Sequence, residues 1–99
     1  MELDFEWDPA KALLNAKNHG IAFEQAASVL LDPLALTVFD QEHSVAEERW
    51  FTIGQNSSGM LMVVVHTCET ITATRVRVRL ISARKPTTNE RRTYEAEPR

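Results

Sequence analysis

The chain has 99 residues, 43% apolar and 25% charged, with one cysteine and a formal net charge of −3. That is enough chain for one hydrophobic core and too little for two, and the composition is that of a folded chain. No apolar run reaches the roughly 18 residues of a membrane span. The acidic start Met1-Glu2-Leu3-Asp4 lacks a signal-peptide core, and Cys68 alone makes neither an intrachain disulfide nor a cysteine zinc cluster. These features predict a single domain over residues 1–99, cytoplasmic and without membrane association.

Residues 3–7 alternate, with Leu3, Phe5 and Trp7 on one face and Asp4 and Glu6 on the other, and predict a short strand. Asp8-Pro9 predicts a helix start, for which Leu13 and Leu14 are expected to supply the apolar side and Gly20 the left-handed stop. A second helix is expected over 23–31, with Ala26, Ala27, Leu30 and Leu31 on one face and Asp32-Pro33 ending it. Strands are expected at 34–39 and 49–54, separated by an acidic, polar loop at 40–48. The segment 60–67 is continuously apolar through Val65, the pattern of a central strand buried on both faces, and Asn56-Ser57-Ser58-Gly59 provides the turn into it. From Thr74, Arg75, Arg77 and Arg79 alternate with Val76, Val78 and Leu80, which predicts a strand with one face in the core. Pro86 breaks it. Thr87-x-x-Glu90 then has the form of a capping box, opening a C-terminal helix that lasts until Pro98. The sum is an α+β domain: an antiparallel sheet of four to five strands, two N-terminal helices and one C-terminal helix.

Charge is unevenly placed. Residues 1–74 hold three Lys/Arg against eleven Asp/Glu, a net of −8, whereas residues 75–99 hold eight against three, a net of +5. Two readings follow: a local anion-binding face, or two ends that neutralise each other in the fold, the arginines meeting the acidic loop at 40–48. Guanidinium groups on alternate strand positions stand about 7 Å apart, close to the spacing of successive phosphates. A guanidinium also offers a phosphate two parallel donors, which lysine does not. Among the histidines, His19 falls at a helix C-terminus, as a proton donor, a phosphate clamp or merely a cap for the last carbonyls. His66 reads as a satisfied interior or edge histidine, and His43 in its loop is unassigned. No metal-ligand spacing, glycine-rich phosphate loop or nucleophile elbow is present, so no metal and no cofactor are expected. Cys68 has no activating partner, and Trp7 and Trp50 read as core or interface aromatics.

The run Phe5-Glu6-Trp7-Asp8-Pro9-x-Lys11, followed by Asn15, His19-Gly20-Ile21 and Phe23-Glu24, resembles the opening of the BrnT toxin family. Asp32-Pro33, Glu48-Arg49, Ile53-Gly54, Val63-Val64-Val65, the segment 79–85, Glu90-Arg91 and Tyr94-Glu95 continue the resemblance in order. It implies a ribonuclease toxin of a type II toxin–antitoxin system with a fold similar to the RelE family. It further implies a BrnA-like antitoxin partner, a heterotetramer with it, and operator DNA bound only through that antitoxin. Two positions depart from the family's pattern. Asn18 stands where a lysine usually precedes His-Gly, with Lys17 turned about 100° away on the helix. Cys68-Glu69-Thr70 carries no arginine where the family usually has one.

The resemblance implies metal-independent RNA cleavage and inhibition of translation, with Arg79 and Arg84 as phosphate clamps and Arg49 and Arg91 assisting. His19 is the expected acid or base. Glu90 is either the base or the residue that orients Arg91. Lys11, Lys17, Arg77, Lys85 and Tyr94 are expected to contact RNA. A second reading makes the chain a weak or inactive binding module that holds an antitoxin and supports operator repression, since carboxylates of a partner also suit an arginine face. Direct DNA reading has little support, because no helix-turn-helix or basic recognition helix is visible.

Overall fold

Asp8 caps the first helix, its carboxylate accepting the Ala10 N–H at 2.9 Å, and Gly20 ends that helix with φ +69°. The computed structural model describes residues 1–96. The elements run β1 (Glu2–Glu6), α1 (Pro9–His19), α2 (Phe23–Ala27), a 3-10 turn (Ser28–Leu31), β2 (Leu36–Phe39), β3 (Trp50–Gln55), β4 (Leu61–His66), β5 (Glu69–Thr70), β6 (Arg75–Arg84) and α3 (Thr88–Ala96). The capping box is made as its spacing predicts: Glu90 N–H donates to Thr87 Oγ1 at 3.1 Å, and Thr87 N–H donates to Glu90 Oε1 at 2.8 Å. The end of that helix expected near Pro98 lies outside the described residues.

The strands form one sheet in the order β1-β6-β4-β3-β2, with β5 against β6 off that path. The antiparallel sheet expected from sequence needs correction, because β1 pairs parallel to β6. Short turns dictate antiparallel neighbours, as between β3 and β4, but nearly the whole chain separates β1 from β6 and leaves their direction free. The β5 pairing was not expected either, since two residues carry too little pattern to read. β4 is central as its apolar run predicts: Met62 and Val64 enter one cluster, and Val63 enters another on the opposite face.

Two helix faces differ from expectation. Leu13 and Leu14 are 75% and 56% exposed, so they do not supply the buried side of α1. That side is made by Ala12 and the buried Asn15, one helical turn apart. In the second helical segment Phe23, Ala26 and Val29 are all fully buried at three-residue spacing, and where the α-helix tightens into the 3-10 turn at Ser28, Leu31 is left 65% exposed. Past it, Asp32 accepts from Leu34 N–H, Gln55 N–H and the Tyr94 hydroxyl at 2.9, 2.8 and 2.6 Å. Gly54 packs closely here: a Cβ would lie 3.1 Å from both Ala35 Cβ and Val29 Cγ1, so any side chain would make those neighbours give way by a few tenths of an ångström.

β1 stops opposite Arg79, so the last stretch of β6 has no strand on that side. Asn15 fills the place. Its Nδ2 donates to the Ala83 and Ile21 carbonyls, and its Oδ1 accepts the Ala83 N–H, each at 3.0 Å. On the other side of β6 a bulge intervenes: His66 pairs with Leu80 but Val65 with Ser82, leaving Ile81 as an extra residue. The alternation slips by one. Val76, Val78, Leu80 and then Ala83 pack under α1 and α2, whereas Arg84 joins Val63 on the face that carries Arg75, Arg77 and Arg79.

Replacing Asn15 with Ala strands three buried backbone groups, and we expect a loss of about 3 kcal/mol in urea unfolding. Leu13→Ala, although a larger apolar deletion, should change stability by less than about 0.5 kcal/mol because the side chain is exposed.

Candidate functional site

α3 covers only part of the sheet's second face, with Tyr94 over Ile53, Leu61 and Val63. The uncovered part is a concavity of about 370 Å³ lined by Asp40, His43, Arg49, Phe51, Val65, Ile81, Ser82 and Arg84. Ile81 and Ser82 also line a second hollow with Lys11, Asn18 and His19. A third, lined by His19, Arg84, Lys85 and Thr87, closes the circuit. The three make a continuous groove running from the end of α1 across β6 to the start of β3. Its cations come from four segments, and Asp40 is the one carboxylate among these lining residues.

Arg84 is held from below. Its Nη1 and Nη2 donate to Glu90 Oε1 and Oε2 at 2.7 and 2.9 Å, a two-point pair that fixes the guanidinium plane. The Arg84 hydrogen bond, joined by the Thr87 backbone N–H, holds Glu90 down to about 2, and the same contact raises Arg84. A carboxylate so acidic is a poor proton acceptor near neutrality. Glu90 therefore orients Arg84, not Arg91 as the sequence suggested, and is ill matched to the role of base. Arg91 is exposed on the first turn of α3.

The arginine stripe divides. Arg75 lies 2.9 Å from Asp4 and 3.8 Å from Glu2, and Arg77 lies 3.9 Å from Glu6 and 3.7 Å from Glu69. These two meet the acidic face of β1, which the parallel register sets alongside them. Arg77 is seven residues from Arg84, on the order of 20 Å along the strand. Arg79 instead takes Glu47 of the 40–48 loop.

Of the remaining residues, Lys11 and His19 line the groove, and Asn18 does so where the family's usual lysine would stand. Lys17 is exposed on α1. Tyr94 is buried and donates to Asp32, so packing accounts for it where RNA contact was expected. His66 is buried away from solvent; its Nδ1 donates to the Thr67 carbonyl, Thr52 Oγ1 lies 2.8 Å from Nε2, and burial pushes its pKa down. Among the described residues no three His, Cys, Asp or Glu side chains cluster to hold a metal ion, and no helix is long and apolar enough to cross a membrane. Sequence reasoning missed three residues here. His43, its Nδ1 3.0 Å from Asp40, enters the groove from the loop; Asn15 and Glu47 serve it indirectly. Only the acidity of the loop hinted at Glu47.

A family model described as the ribonuclease toxin BrnT of type II toxin–antitoxin systems matches residues 7–90. The chain belongs to the BrnT family. Its fold is similar to the crystal structure of the Brucella abortus ribonuclease toxin BrnT, with a TM-score of 0.62 at 18% identity. That match covers 88% of this chain and 100% of the other. No curated protein matches. As a member of a type II toxin family, this BrnT chain has an antitoxin as its implied partner.

The Arg84–Glu90 pair predicts an acid dependence of stability. Glu90's folded value lies below the ordinary 4.5, so its contribution is complete above pH 4.5 and drains away as pH falls towards 2. The stability gap between the parent and Glu90→Gln, from urea midpoints at pH 7 and pH 3, should therefore narrow at the lower pH.

Proposed function

We propose that this BrnT chain is a metal-independent endoribonuclease whose groove holds one RNA phosphate against Arg84 during cleavage. The observation that carries the reading is the Glu90-anchored guanidinium, which lines two of the three adjoining hollows, with His19, His43, Arg49, Lys11 and Lys85 around them.

The reaction is attack of a ribose 2′-OH on the adjacent phosphorus. It forms a 2′,3′-cyclic phosphate as the bond to the 5′-oxygen breaks. A base takes the hydroxyl proton, an acid returns one to the leaving oxygen, and cations meet the charge that builds on the phosphorane. Arg84 supplies the fixed donors, with Arg49, Arg79 and Lys85 adding charge and Arg91 a further contact from α3. His19 and His43 divide the proton transfers, His43 with its ring oriented by Asp40. Lys11 and Lys17 engage flanking backbone, and Arg77 adds weaker long-range attraction.

In the cell this activity inhibits translation, and a BrnA-like antitoxin neutralises it within a heterotetramer that represses its operon through the antitoxin's own DNA contacts. A RelE-like architecture, with two helices preceding a sheet that carries the basic strand, belongs to the same reading. The alternative, a binding module with little or no catalysis, is favoured by one observation: Arg79 already holds a carboxylate as an acidic partner would.

Purified chain should cleave RNA in the presence of EDTA and leave 2′,3′-cyclic ends. Arg84→Ala should lose about a hundredfold in rate, the typical effect of removing one donor to a developing oxyanion. His19→Ala should also slow cleavage. If both variants, shown folded by circular dichroism, cut as fast as the parent, the site assignment is wrong; intact RNA with the parent favours the binding module.

A further inference from the structure

Arg79 differs from its neighbours in the stripe because its partner comes from neither β1 nor β5. Glu47 reaches over from the 40–48 loop, with Oε2 bonded to Arg79 Nη2 and Oε1 3.8 Å from Arg49 Nη2. The Lys11 charge on α1 acts on the same carboxylate. One side chain thus meets two guanidiniums that are far apart in sequence, with the Lys11 charge a weaker attraction. Arg49 also keeps Nε buried without an acceptor among the described residues, so the cluster has a donor that the carboxylate leaves unused. A carboxylate and a phosphodiester each present one negative charge on a pair of equivalent oxygens, and guanidinium pairs with either through parallel N–H donors.

We propose that Glu47 sits in a phosphodiester subsite beside the groove, so that Arg79 and Arg49 receive a backbone phosphate only when the 40–48 loop withdraws its carboxylate. This rests on the ribonuclease reading above and extends it. Arg79 and Arg84 share one face of β6, roughly 15 Å apart along the strand, or about two phosphate steps. The subsite therefore takes a flanking phosphate of a bound strand, not the one that is cut. The pairing is suited to release: Glu47 is 41% exposed on its side chain, on a ten-residue connection without helix or strand. An exposed pair of this kind competes with an incoming anion and lowers its apparent affinity without excluding it.

The test uses an uncleavable 2′-O-methyl RNA oligonucleotide of about six residues, with binding followed by fluorescence anisotropy at low salt. Glu47→Gln, which keeps shape and removes charge, should tighten binding by up to about fivefold, the factor an exposed ion pair can withhold. The gain should vanish in an Arg79→Ala background and fade at high salt. An unchanged affinity for Glu47→Gln, or an equal gain without Arg79, overturns the subsite and leaves the ribonuclease reading to stand on cleavage by the parent. If Glu47→Gln gains affinity for tripolyphosphate while neither form binds or cuts RNA, the anion subsite holds but its assignment to RNA falls together with that reading.

Discussion

The Asn15 carboxamide does for the end of β6 what a neighbouring strand does for the rest of it. β1 supplies hydrogen bonds as far as Arg79 and then turns away into α1. Beyond that point Ala83 would present a bare N–H and a bare carbonyl inside the core, each costly to bury unpaired. A side chain that repairs both must donate and accept from nearly the same place, which an amide does and a carboxylate or an alkyl group does not. The second N–H of the same amide reaches Ile21 and fixes how the chain leaves α1. The helix is thereby pinned lengthwise against the β6 edge, with Asn18 and His19 brought beside Ser82 and Arg84. The groove exists because a strand ends early and a helix takes over its last hydrogen bonds.

The bulge at Ile81 is the second half of that arrangement. Strict alternation from Arg75 would leave position 84 on the same face as Val76 and Leu80, under α1 and α2. One extra residue returns the guanidinium to the open face, where Glu90 meets it with both oxygens. Glu90 is at once the capping-box residue of α3 and the anchor of Arg84, since Oε1 accepts from both Thr87 N–H and Arg84 Nη1. The start of α3 and the orientation of the central cation are therefore one interaction. Rigidity at this point is what electrostatic stabilisation of a transition state requires, because donors fixed beforehand need no reorganisation during the reaction.

What the sequence made legible follows the range of the forces involved. Caps, the turn at 56–59, the central strand and the β6 alternation depend on residues a few positions apart, and each appears where its pattern indicated. The parallel β1–β6 pairing and the burial of Asn15 instead of Leu13 depend on partners some 70 residues away, and the bulge on the register between β4 and β6, none of which local periodicity encodes. The same limit governed the arginines. Asp4 and Glu6 were legible as a charged face of β1, and Arg75 and Arg77 as a charged face of β6, but only the register shows that the two faces meet. His19 was a candidate from its place at a helix end and Arg84 from family resemblance, while Glu47 and His43 lay in a loop whose composition revealed only its acidity.

That division of the stripe changes what the charge asymmetry means for function. If every arginine of β6 faced solvent unpaired, the surface would bind any polyanion along its length, and affinity would rise with each phosphate covered. With Arg75 and Arg77 paired to carboxylates of β1 and β5, that end of the stripe offers little net charge to nucleic acid, whereas Lys11 and Lys85 line the groove beside the anchored Arg84. On the ribonuclease reading, such a surface holds a strand loosely and concentrates its interactions on a few phosphates near the cut. This suits a catalyst, because binding shared equally by substrate and transition state does not accelerate the chemical step. It also makes the groove easy to block. On the same reading, an acidic segment from a partner blocks it by presenting carboxylates in the place that Glu47 leaves when the 40–48 loop withdraws.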